Sequence, residues 1–188
     1  MAESEALTSI SASPSAETSE KGRSAGRHSA REVALQVLYA IDLGTHESDL
    51  EMENAGDPDS EVEEGALEDP TLRIAARTQA IFDRIAENFV VPSSATEFAR
   101  ELVMSVVARS QHLDELLGAH AKNWRVARMA AVDRNILRMA SYELCDTETP
   151  VAVIIDEAVD LARRFGSDSS PAFVNGVLDA IAREVRVS

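Results

Sequence analysis

The chain has 188 residues, 45% of them hydrophobic but only 4% aromatic. That is enough for one domain with a real core of Ala, Val, Leu and Ile, a palette that favours helices packed closely on helices over a sheet sandwich. A formal net charge of −15 opposes long-range attraction to a polyphosphate, so a nucleic-acid role would need a local basic patch or a basic partner.

The N-terminal residues, to about 22, are rich in Ser, Ala and Glu and lack apolar periodicity, which predicts disorder. Met1-Ala2-Glu3-Ser4-Glu5 has no basic n-region and no apolar h-region, and no apolar run in the chain reaches the roughly 18 residues of a membrane span. The expected location is therefore cytoplasmic. Charge then changes sign: Lys21, Arg23, Arg27, His28 and Arg31 cluster around Gly22 and Gly26. The expected division is a disordered tail with a basic arm over 1–26 and a helical domain over 27–188.

A helix is predicted over about 29–43, with Ser29 as N-cap, Val33, Leu35, Val37, Leu38 and Ile41 at helical spacing, and Gly44 as the stop. Residues 45–70 carry eleven carboxylates and no Lys or Arg, which predicts a solvated acidic insertion on a smaller core. A helix over about 71–89 uses Ile74, Ile81, Ile85 and Phe89. Ser94-x-x-Glu97 reads as a capping box opening a helix through Leu102 and Val106, which Leu113, Leu116 and Leu117 either continue or follow as a separate helix.

Asn123-Trp124 marks a connection, and a helix over about 126–145 follows. Pro150 suits the first turn of the next helix, where Val151, Ile154, Ile155, Ala158, Leu161, Ala162 and Phe165 keep helical spacing until Gly166. Ser170-Pro171 repeats that signature before a last helix through Val174, Val177, Leu178, Ile181 and Val185. No strand alternation occurs, so the fold class is all-α, a bundle of roughly six or seven helices.

Catalytic and metal chemistry find little support. No Gly-rich phosphate loop precedes a helix, and His28, His46, His112 and His120 are scattered. The one cysteine, Cys145, forms no internal disulfide or CxxC pair and reads as a packed core thiol. Asp156, Glu157 and Asp160 read as a solvated helix face. No catalytic residue, metal or cofactor is expected.

Arg23, Arg27 and Arg31 recur every four residues, one face if helical, and suit bidentate phosphate contacts; a basic linker fits the same pattern. Phe173, at the start of the last helix, suits base stacking or a place in the core.

Three stretches resemble the NusB family. Ala30-Arg31-Glu32-x-Ala34-Leu35-Gln36-x-Leu38-Tyr39 is similar to its first helix, and Val132-Asp133-Arg134-x-Ile136-Leu137-Arg138-Met139-Ala140-x-Tyr142-Glu143-Leu144 to its middle signature. Glu157-Ala158-Val159-x-Leu161-Ala162, Phe165-Gly166 and Phe173-Val174-Asn175-Gly176-Val177-Leu178-Asp179 resemble its C-terminal signature.

The resemblance implies a NusB-like helical bundle and a transcription antitermination factor that binds single-stranded boxA RNA of ribosomal RNA operons. It does so jointly with NusE, a small basic ribosomal protein, within the transcription elongation complex. RNA contacts would fall on Lys21, Arg23, Arg27, Arg31 and Phe173, and partner contacts on Asp133, with Tyr39 supporting the first helix. Departures are the interruption of the arm by His28 and Ser29, and Ser169, Pro171 and Ala172 in place of a more polar run.

Two rival readings differ in kind. The N-terminal domain of certain RNA cytosine methyltransferases would need a downstream cofactor-binding domain, absent from this sequence. A homodimeric scaffold would bury the basic surface and bind no RNA.

Overall fold

The computed structural model describes residues 26–44, 69–89, 93–121 and 124–186. Within them the fold is all-α, with seven α-helices: α1 over 26–44, α2 Pro70–Ala86, α3 Ser93–Ala108, α4 Ser110–His120, α5 Ala131–Asp146, α6 Val151–Phe165 and α7 Ser170–Val185. A 3₁₀ turn, Val126–Arg128, leads into α5. No helix among the described residues is long and apolar enough to cross a membrane.

Helix α5 is the axis of the bundle. Eleven of its sixteen residues are buried, including Asp133, Arg134, Asn135 and Glu143, because α3, α4, α6 and α7 all pack against it. A helix so largely buried is stabilised by pairing the polar groups it carries inward. Arg134 and Asn135 both donate to Asp42 Oδ2 of α1, at 2.7 and 3.0 Å, and Glu143 accepts from Arg31, also of α1. The α5 C-terminus is closed by Arg186, which donates to the carbonyls of Leu144 at 2.6 Å and Glu143 at 3.1 Å, a cation on orphan carbonyls.

Helices α6 and α7 form an antiparallel pair across α5 through Ile154, Ala158, Leu161 and Ala162 on one side and Val174, Leu178 and Ile181 on the other. Their tight connection rests on Ser170, whose buried hydroxyl accepts from the Ser167 amide at 2.9 Å. Ser170 thus holds the turn behind it rather than acting as an N-cap; the N-cap position is Ser169, which makes no side-chain cap bond.

Several boundaries move. Helix α1 is already helical at Gly26, so Ser29 is an interior residue rather than its N-cap. The acidic insertion ends earlier, because Asp69 caps α2 by accepting from the Thr71 amide at 2.9 Å and Pro70 is its first residue. Ser94 lies inside α3 rather than capping it. Leu113 and Leu117 belong to a separate helix, since the chain breaks at Arg109. The expected 126–145 helix divides into the 3₁₀ turn and α5. The disorder expected before residue 23 and most of the acidic insertion lie outside the described residues.

Candidate nucleic-acid interface

Helix α1 brings Arg27 and Arg31 to one face, one turn apart, with their guanidiniums 5.3 and 5.4 Å from the Phe98 ring of α3. Their surroundings differ sharply. Arg31 is 3% exposed and lies against Glu143, which is 1% exposed. Its Nε donates to Oε1 at 2.8 Å and its Nη2 to Oε2 at 2.7 Å, while its Nη1 lies 3.5 Å from Glu157 Oε2. This bidentate, desolvated pair commits the guanidinium to the interior. Arg31, expected to contact phosphate, thereby links α1 to α5. Arg27 is exposed and has no carboxylate partner among the described residues. Lys21 and Arg23 lie outside the described residues.

Around Arg31 the charges are dense. His28 lies 2.9 Å from Glu157 and 3.2 Å from Glu32, and Arg164 of α6 pairs with Glu32. Glu157, expected on a solvated face, instead joins α6 to α1.

The second place of interest is the end of the bundle where α7 begins. Phe173 sits in its first turn, half-buried, with its amide bonded to the Ser169 carbonyl at 3.1 Å. Its ring is 5.3 Å from that of Trp124, tilted by 54°. Trp124 is 55% exposed, just before the 3₁₀ turn. In sequence Trp124 marks only a connection between helices, and its one signal is that the chain's single tryptophan stands off every apolar helix stripe. Arg125 and Arg128 beside it are exposed and form no ion pair among the described residues.

Asp133, in the first turn of α5, is 8% exposed, and its Oδ1 is buried without a hydrogen-bond partner. The neighbouring Val132 lines an apolar groove of about 400 Å³ together with Leu35, Tyr39, Ile85, Phe89 and Phe165. Tyr39 is exposed at its edge, not tucked in as the first helix's support.

A second cavity, bounded by Asp42, Asp114, Arg134 and Arg138, is internally neutral. Burial works to lower the pKa of the Arg138 guanidinium, but its bonds to Asp114, both 2.7 Å, and the charge of Asp42 outweigh burial and raise it. The arginine stays charged and paired, so this cavity offers a phosphate no free cation.

Cys145 is exposed near the end of α5, contrary to the core position expected for it. Residual burial and the Asp146 carboxylate push its thiol up, against the pull of Arg186 and Arg109, which makes it a poor thiolate at neutral pH. No group of His, Cys, Asp and Glu among the described residues is arranged to hold a metal.

A family model described as the NusB family matches residues 28–183. The chain belongs to the NusB family. The transcription antitermination protein NusB of Geobacter sp. (strain M21) is 38% identical over 160 residues, 85% of this chain and 95% of the relative. That of a Nitratiruptor species is 36% identical over 162 residues, 86% and 95% of the two chains.

Among solved structures, T. maritima NusB matches with a TM-score of 0.63 at 27% identity, covering 84% of this chain and 91% of that one. A chain from the crystal structure of antitermination factors NusB and NusE in complex with dsRNA matches with a TM-score of 0.61 at 25% identity, covering 85% of this chain and 97% of that one. NusB proteins are transcription antitermination factors, not enzymes.

Proposed function

We propose that this NusB-family protein is a transcription antitermination factor that binds boxA-type single-stranded RNA of ribosomal RNA operons together with NusE. It acts in the cytoplasm within the transcription elongation complex and promotes transcription of rRNA genes. The observation that carries the reading is family membership over most of the chain, including a match to a chain solved with NusE and RNA.

The working parts differ in role. Arg27 is the described arm residue available to a phosphate, with Lys21 and Arg23 preceding it in sequence; Arg31 holds the helix that carries it. Phe173 stacks a base, a contact that tolerates many sequences because every base has a π face. Phosphate contacts set register and base contacts specify. The helical domain from α1 onward carries this role, with the segment before it and the acidic stretch between α1 and α2 as additions to it.

NusE docks on the groove bounded by Tyr39, Val132 and Phe165, next to Asp133. A basic partner there suits an acidic chain and an Asp133 carboxylate whose Oδ1 has no hydrogen-bond partner.

The test is binding of the full chain to a boxA RNA and to a scrambled control, each single- and double-stranded, at two salt concentrations, with and without NusE. Selective single-strand binding, strengthened by NusE and weakened by salt, is the expected result. A stable homodimer that no RNA dissociates, with no selective binding, would instead establish a scaffold.

A further inference from the structure

We infer that Trp124 is itself a nucleobase-stacking residue, forming with Phe173 a two-ring platform flanked by Arg125 and Arg128, so that the single-stranded RNA passes over the 3₁₀ turn as well as the α7 start. The inference rests on the RNA-binding reading above and assigns it a further contact residue.

Three independent features converge on Trp124. The first is exposure. An indole is among the costliest side chains to leave in water, and this one is 55% exposed. The second is its neighbour. Its ring is 5.3 Å from Phe173, so the two aromatics form one surface rather than two isolated residues.

The third is local charge. In a chain of net charge −15, residues 116–132 contain no carboxylate but do contain Lys122, Arg125 and Arg128. Arg125 and Arg128 are exposed and unpaired among the described residues, unlike Arg31, Arg134 and Arg138, which carboxylates hold. An exposed indole and a half-buried phenyl ring beside unpaired guanidiniums are the composition of a single-strand reader, the rings taking bases and the cations taking the phosphates between them. A protein partner of the apolar kind would want the aromatic pair without the two cations; the arginines favour RNA.

Because Trp124 is the one tryptophan in the chain, its emission reports this contact alone. Labelled boxA-type single-stranded RNA is titrated into the full chain, with anisotropy and tryptophan emission followed together; inorganic polyphosphate serves as a base-free control. Quenching that saturates with the anisotropy change, and no quenching by polyphosphate, is the expected result. Trp124→Leu should weaken RNA binding roughly tenfold or more, and Trp124→Phe should restore most of it.

RNA binding with unchanged emission and unaltered affinity in Trp124→Leu would overturn the inference while leaving the RNA function intact. In Phe173→Leu the quenching should persist; its loss while RNA still binds would show that Trp124 only positions Phe173, and would also overturn it. Should Trp124→Leu lose its helical signal, the emission of the unsubstituted chain still decides. No RNA binding by the unsubstituted chain, with or without NusE, would remove both readings.

Discussion

Two arginines four residues apart on α1 illustrate how differently one residue type can be used. Arg27 is exposed over Phe98, and Arg31 is held by Glu143, 112 positions away in sequence. Removing one member of such a buried pair leaves the other charge desolvated and uncompensated. Arg31→Ala should therefore lower the unfolding free energy by about 3–5 kcal/mol, whereas an exposed substitution such as Arg27→Ala should stay within about 0.5 kcal/mol. Urea unfolding of the two variants reads this directly. RNA affinity measured on folded protein should fall for Arg27→Ala, and the slope of affinity against salt should become shallower by about one unit. The i, i+4 spacing was legible as a shared face. Which arginine of that face meets solvent was not, because the answer lies on α5.

The connection between α6 and α7 positions Phe173, and at Gly166 it is closed by space rather than by backbone conformation. A Cβ there would lie 2.6 Å from the Ser170 Cβ and 2.7 Å from the Ala162 carbonyl oxygen. Neither neighbour is the loose end of a long side chain, and Ser170 is buried in the turn. Gly166→Ala should destabilise the fold by about 1–3 kcal/mol, the range for overpacking, and weaken RNA binding by displacing the first turn of α7. Gly176, in the middle of α7, has nothing within 4 Å of such a Cβ, so Gly176→Ala should be neutral or stabilise by up to about 1 kcal/mol. Thermal melts of both variants make the comparison. The sequence placed α6 and α7 almost to the residue, since Pro150, Gly166 and Pro171 punctuate a strong apolar period. It did not separate α3 from α4 at Arg109, where no Gly or Pro marks the break.

For the whole molecule, the distribution of charge matters more than its total. Residues 45–68 alone hold ten carboxylates, and they join α1 to α2 where Arg77 reaches the Gly44 carbonyl at 3.3 Å. Replacing 45–68 by a short Gly-Ser linker should strengthen RNA binding at low salt, with the gain shrinking as salt rises, because repulsion between carboxylates and phosphates is screened beyond a Debye length of about 8 Å at physiological ionic strength. Equal affinities at low salt in the two proteins would show that the insertion does not repel the RNA.

The all-α class, the order of the helices and the family were decided by the sequence, because apolar periodicity and helix-ending residues are local and survive without knowledge of neighbours. The burial of Arg31, the escape of Cys145 from the core, and the pairing of Trp124 with Phe173 were decided only by tertiary structure. Each depends on which side of α5 or α7 a distant segment packs. A guanidinium or an indole carries the same letter whether it meets water or a carboxylate, and only the packed bundle distinguishes the two.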